Sequence, residues 1–277
     1  MNAVQTDAKK TLRNLVIFVI AINLIGWLAI PLNQNPEAQG LGMLIWLAAP
    51  LVVSLLLRAF AGDGWEDFGL GFHFKGNGIW YVVSILIYPL MIGITLLVGR
   101  VFGALTFANG MLGLFLPLLI PALVTNFFKN IFEEFAWRGY LASKMYSLKF
   151  NTMIGHVLVG LVWGGWHIPY YLGLLDQATY QSYTSQPLAV FLPLVFLGTI
   201  AASILYGEIR IRTNSVWPAV LLHTIVNAVA LTLLTENLVQ FKAGLDAFFS
   251  PGIEGILMII LTAGVGVWLY NRRAKSA

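Results

Sequence analysis

Residues 111–141 read MLGLFLPLLIPALVTNFFKNIFEEFAWRGYL. The part from 111 to 128 is almost wholly apolar and about as long as a bilayer is thick. The part that follows sets Glu133, Glu134 and Arg138 where the same helix continues. Each ionised side chain at the centre of a membrane helix costs about 2.5–3.5 kcal/mol, so three cost roughly 8–10 kcal/mol if nothing offsets them. What offsets them decides both the fold and the function.

Asn126, Asn130, Glu134 and Arg138 follow one another at intervals of four, with Lys129 and Glu133 beside them. At 3.6 residues per turn they form one polar stripe. Such a stripe faces the interior of a bundle or a water-filled cavity, not lipid. Glu134 and Arg138 have the spacing of an i, i+4 ion pair. Glu133 is turned about 100° away from Glu134. The expectation is therefore one acid engaged by the arginine and one free, the free one suited to act as a general base.

Outward from this helix, the chain has a membrane composition. Of its 277 residues 58% are hydrophobic and only 10% charged, against about a quarter charged in soluble domains. There is no cysteine, which excludes disulfides, thiolate metal ligands and a cysteine nucleophile. Apolar runs of spanning length cover 15–32, 41–57, 80–98, 111–128 (continuing towards 145), 152–172, 188–206, 216–234 and 253–270. The first is longer than a signal-peptide core and lacks a small-x-small cleavage site, so it reads as an uncleaved anchor. The fold expected is all-α, a polytopic transmembrane bundle of about eight spans.

The basic residues follow the same count. With the N-terminus inside, cytoplasmic segments hold Lys9, Lys10, Arg13, Arg58, Lys75, Lys144, Lys149, Arg210, Arg212, Arg272, Arg273 and Lys275, and the opposite side only Arg100 and Lys242. This is the positive-inside bias, and it places both termini in the cytoplasm. It also accounts for the net charge of +4 without a nucleic-acid partner. With no internal repeat or long linker, residues 1–277 read as a single integral-membrane domain. Segment 62–78, GDGWEDFGLGFHFKGNG, reads as a cytoplasmic connector.

Two other helices carry polar groups. In WGGWHIPYY (163–171), Gly164 and Gly165 permit close backbone approach, Trp163 and His167 share a face, and Pro169 ends or kinks the helix. In HTIVN (223–227), His223 and Asn227 share a face. A charged turn precedes this helix in GEIRIRTNSVWPAVLL (207–222), which sets Pro218 at the helix start. Taken singly, each feature has an ordinary reading: an intramembrane ion pair, a packed histidine, an interhelical amide. His73 and His156 read as loop or structural residues. Together, an acid, two histidines and an amide on three helices of an apolar bundle point to a functional site.

Glu133 and His167 can hold and deprotonate a water, while His223 and Asn227 can donate to a developing oxyanion, where one donor contributes about 2.7–4 kcal/mol. That set describes amide hydrolysis without a covalent nucleophile. A zinc ion on Glu133, His167 and His223 is the alternative, but H-E-x-x-H is absent, and direct activation with no cofactor is favoured. A non-enzymatic protein is the rival from another class, either a proton-coupled transporter or a binding or bacteriocin-immunity protein. No second copy of the acidic motif is present, and all four proposed catalytic residues are.

EEFAWRGYL resembles the E-E-x-x-x-R motif of the CAAX protease and bacteriocin-processing (CPBP) family of intramembrane endopeptidases. WGGWHIP resembles its aromatic-x-x-x-His motif and HTIVN its His-x-x-x-Asn motif, in the family's order and within a catalytic half of about residues 110–235. The resemblance implies that Glu133 is the catalytic glutamate with His167 activating water, that His223 and Asn227 form the oxyanion site, and that Glu134 and Arg138 support the helix geometry. The family pattern usually has Phe where Trp163 stands, which implies a narrower cavity. Eukaryotic type II CAAX proteases of this family cut prenylated C-terminal tails, and bacterial relatives act in peptide maturation, self-immunity or regulated proteolysis. The partners implied are the lipid bilayer and a membrane-associated peptide or protein, with or without a lipid chain, reached through a cytoplasm-side cavity. The location implied is the cytoplasmic membrane of a prokaryote.

Overall fold

A computed structural model describes residues 3–35, 40–149 and 151–275. The apolar runs are helical over most of their length, as lipid demands of a backbone that must satisfy its own hydrogen bonds. In chain order the elements are α1 (Ala3–Gln34), α2 (Leu41–Phe60), α3 (Gly78–Val101), β1 (Leu105–Phe107), α4 (Met111–Ala136), α5 (Ala142–Ser147), α6 (Thr152–Trp166), α7 (Gln177–Tyr183), α8 (Leu188–Thr213), α9 (Trp217–Thr235), β2 (Val239–Phe241), α10 (Asp246–Phe249) and α11 (Ile256–Ala274). A π-helical turn, Trp137–Leu141, joins α4 to α5 without a break. A second, Tyr170–Leu174, follows α6.

Six helices among the described residues are long and apolar enough to cross a membrane. Of the eight runs expected to span, two do not reach that standard. α6 stops at Trp166 after 15 residues, about 22 Å, because Pro169 follows and the chain re-forms only as a π turn. α11 ends on Arg272 and Arg273, with Asn271 before them. Large apolar side chains such as Leu28, Leu90, Leu112 and Ile120 lie exposed along the spans, the surface of a protein solvated by lipid.

The bundle has two distinct ends. At one, β1 and β2 pair antiparallel, Leu105 opposite Phe241 and Phe107 opposite Val239; this is the sheet end. At the other lies the 61–77 connection, the loop end. Here Arg58 donates to the Asp67 carboxylate at 2.7 Å and to the Gly139 carbonyl at 2.6 Å, while Lys144 pairs with Asp67 at 3.0 Å. Gly69 holds a left-handed φ of 79°, and a Cβ there would meet the Arg210 guanidinium.

Close helix packing positions the site. On α6, Gly160 and Gly164 sit one turn apart against α8, where an added Cβ would collide with Ile200 at the first and with Phe196 and Thr199 at the second. This is the small-x-x-x-small arrangement of membrane helices. Thr199 Oγ1 donates to the Gly160 carbonyl at 3.0 Å. Gly165, also expected to permit close approach, faces open space. The core is aromatic: Phe18, Tyr88, Trp137, Tyr140, Trp163, Trp166 and Tyr206 are all buried.

Candidate active site

The polar stripe of α4 faces inward as its spacing demands: Asn126, Asn130, Glu133, Glu134 and Arg138 are buried. Arg138 Nη1 donates to Glu134 Oε1 at 3.0 Å, which is the expected i, i+4 pair. The guanidinium also lies 4.5 Å from the Trp163 ring and 4.6 Å from the Tyr206 ring, and reaches Ser203 Oγ at 3.2 Å. The same Glu134 oxygen accepts from His223 Nδ1 at 2.8 Å. Glu134 thus joins the arginine of its own helix to the histidine of α9.

Glu133 is not free. The Lys129 ammonium stands 3.0 Å from its Oε1, and the Trp163 indole donates to its Oε2 at 3.2 Å. The expectation of one engaged and one unengaged acid fails because the stripe contains two i, i+4 pairs and not one. Lys129 is a site residue that the sequence reading passed over, although its spacing from Glu133 equals that of Glu134 from Arg138.

Trp163 does more than form a wall. Its indole fixes Glu133, and its backbone carbonyl accepts from His167 Nδ1 at 2.9 Å. A ring nitrogen facing a carbonyl must carry the hydrogen, so His167 presents the lone pair of Nε2. The Trp163 ring also packs 5.2 Å from His223 and 6.1 Å from His167, centroid to centroid. His223, with its Nδ1 hydrogen committed to a carboxylate, offers a second hydrogen at Nε2 only as imidazolium. Asn227 Nδ2 lies 3.5 Å from Asn130 Oδ1, at the outer limit of a hydrogen bond, so this amide is loosely held.

Two π-helical turns lie beside these groups, one beginning three residues after Glu134 and containing Arg138, and one directly after Pro169. Such turns interrupt the i→i−4 ladder and recur at functional sites. The two remaining histidines lie elsewhere. His156 is buried against Glu208 at 3.0 Å and Tyr146 at 3.0 Å, and His73 belongs to the 61–77 connection.

Among the described residues, no three His, Asp or Glu side chains group as metal ligands. Lys129 and Trp163 engage the Glu133 carboxylate, and a carbonyl and a carboxylate engage Nδ1 of the two rings, which leaves the Nε2 atoms of His167 and His223 open.

A cavity of about 360 Å³ is lined by Lys129, Trp163, His167, His223 and Asn227, and beyond them by Trp46, Tyr170, Tyr171, Tyr183, Leu234 and Glu254. It runs from the polar groups towards the sheet end, where Leu234 closes α9 and Glu254 precedes α11. The sequence reading expected a cavity on the side of the basic connections; the structure has it on the opposite side. Its wall is an aromatic stack, with Trp46 3.9 Å from Trp166 and 4.7 Å from Tyr170.

Residues 115–229 match the family model described as Type II CAAX prenyl endopeptidase Rce1-like. Over this segment the chain is similar to the CAAX protease family. Every residue of the three motifs falls within the matched segment, and the family so described is one of endopeptidases. No curated protein matches the chain.

Proposed function

We propose that this protein is an intramembrane endopeptidase that hydrolyses a peptide bond of a membrane-associated substrate, with Glu133 and His167 activating water and His223 and Asn227 receiving the oxyanion. The observation that carries the reading is the double engagement of Trp163, which orients Glu133 through its indole and His167 through its carbonyl. A water between the Glu133 carboxylate and His167 Nε2 has one acceptor to take its proton and a second to orient it. Lys129 pairs with Glu133 Oε1 at 3.0 Å and offsets its charge.

On the other side of the Trp163 ring, the Glu134 carboxylate accepts from His223 Nδ1 and so fixes the orientation of the ring. As imidazolium, His223 donates from Nε2 to the negative charge developing on the carbonyl oxygen, and Asn227 Nδ2 adds a second donor once it leaves Asn130. When the tetrahedral species collapses, the proton taken from water passes to the leaving amine. Atoms and charge balance with no group beyond those on α4, α6 and α9.

The test uses the detergent-purified protein and a fluorogenic farnesylated CAAX-type peptide beside its unprenylated twin. Cleavage is expected from the native chain and a loss of 10²-fold or more from Glu133→Gln, since a carboxamide cannot take the proton. Full activity in Glu133→Gln overturns the assignment. Cleavage of only one of the twins decides whether a lipid chain is needed.

A further inference from the structure

We infer that the peptide enters this site from the sheet end of the bundle, on the non-cytoplasmic face, so that its substrates are peptide segments exposed on that face and not cytoplasmic C-terminal tails. The inference rests on the protease reading above and adds to it the side from which substrate comes. Three independent observations carry it.

The first is the course of the cavity. His223 lies six residues into α9 from the loop end, about 9 Å. From there the lining passes Asn227 and Leu231 to Leu234 at the far end of the helix, and Gly252 and Glu254 flank it beyond. The polar groups lie at the inner end of this lining, and Leu234, Gly252 and Glu254 at the end next to the turns that precede β2 and α11.

The second is the closure of the other side. The 61–77 connection is tied down over the π turn that follows Glu134: Tyr140 donates to Asp63 at 2.7 Å, Arg58 to the Gly139 carbonyl at 2.6 Å, and Arg210 to the Asp67 carbonyl at 2.8 Å. A peptide arriving from the loop end would have to break this belt of charge-assisted hydrogen bonds.

The third is charge. All but four of the chain's 16 Lys and Arg residues lie at the loop end; Arg100 and Lys242 lie at the sheet end, and Lys129 and Arg138 between. A bias of this size sets the loop end in the cytoplasm. The site therefore faces away from the compartment in which a cytoplasmic lipidated tail resides.

The absence of cysteine makes a direct test available. Single-cysteine variants Lys75→Cys (loop end), Lys242→Cys (sheet end) and Leu231→Cys (cavity wall) are expressed in a bacterial host, and right-side-out and inside-out vesicles are treated with a membrane-impermeant maleimide. In right-side-out vesicles Lys242→Cys and Leu231→Cys are expected to label and Lys75→Cys not to, with the Lys75→Cys and Lys242→Cys pattern reversed in inside-out vesicles. Labelling of Lys75→Cys from outside overturns the orientation. Labelling of Leu231→Cys only from the inside overturns the direction of the cavity. These readouts need no turnover, so a protein that labels as expected but cleaves no peptide counts against the protease reading alone. A quenched fluorogenic peptide added outside is expected to be cut by right-side-out vesicles and not by sealed inside-out ones, and prior labelling of Leu231→Cys is expected to abolish that cleavage. Cleavage confined to inside-out vesicles overturns the inference while leaving the protease reading standing.

Discussion

At the scale of residues, the two adjacent glutamates are separated by what would follow from neutralising each. Glu134 is wholly enclosed, with Arg138 and His223 on one oxygen. Glu134→Gln leaves the Arg138 charge buried without its partner, and removing one member of a buried pair costs about 3–5 kcal/mol. The expected outcome is a large fall in thermal midpoint in detergent, read by differential scanning fluorimetry. Glu133 is paired with a lysine whose side chain is 33% exposed towards the cavity, so water can take over that charge. Glu133→Gln should therefore lose activity with little change in midpoint; equal destabilisation by both changes would refute the division of roles. Trp163→Phe tests the bridge between acid and histidine. It keeps an aromatic wall but removes the indole donor, and a hydrogen bond to a charged group contributes about 1.5–3 kcal/mol. A fall of roughly ten- to hundredfold in kcat with KM little changed is expected, whereas unchanged kcat would show that the indole does not position Glu133.

At the scale of elements, the segment around α7 lies beside the cavity, which Tyr183 lines, and hangs on one carboxylate. Asp246, at the start of α10, accepts from Thr184 Oγ1, the Ser185 amide, Ser185 Oγ and Gln186 Nε2, each at 2.7 Å. Burial by itself would raise its pKa, but the hydrogen bonds from Thr184, Ser185 and Gln186 outweigh burial and hold it below the usual aspartate range. A carboxyl whose folded pKa is depressed stabilises the fold above its unfolded value, about 3.9, and that contribution is lost as pH falls through the folded value. The native segment should thus stay protected from hydrogen exchange at neutral pH and loosen only below about pH 4. In Asp246→Asn it should loosen at neutral pH, since an amide leaves part of a four-donor set unmet at about 1–3 kcal/mol; identical exchange in the two proteins would exclude the carboxylate as the tether. Much of this scale was legible in the sequence. Four-residue spacing gave the inward stripe, Pro169 the end of α6 and Pro218 the start of α9. Lys129 was equally legible, because its spacing from Glu133 was in plain view. Trp163 as a bridge was not, because its indole reaches a different helix, and neither was the pairing of β1 with β2, which joins segments distant in sequence.

At the scale of the whole molecule, the cavity and the loop-end belt are two halves of one arrangement, and neither leaves a signature in a linear sequence. Hydropathy shows which segments lie in lipid and charge shows which end faces inside, but which end stays open depends on how the connections fold back. Segment 61–77 reads in sequence as a connector rich in glycine and aspartate; in the structure Asp63 and Asp67 close one end. Arg58 is the centre of that closure. It is buried, donates to Gly64, Asp67 and Gly139, and lies 4.7 Å from the Phe68 ring and 5.3 Å from that of Tyr140. Arg58→Met keeps most of the apolar stem and removes every donor. Asp67 is 35% exposed and retains Lys144, which moderates the loss, so about 3 kcal/mol, the low end for a broken buried pair, is expected. The thermal midpoint should fall and the connection should become sensitive to protease added on its own side. The π turn carrying Gly139 begins three residues after Glu134, close to the proposed base Glu133, so kcat should fall as well, although Arg58 touches none of the groups proposed to meet substrate. A variant with a lowered midpoint but native kcat would show that the belt seals the molecule without shaping the site; a native midpoint would show that it does neither.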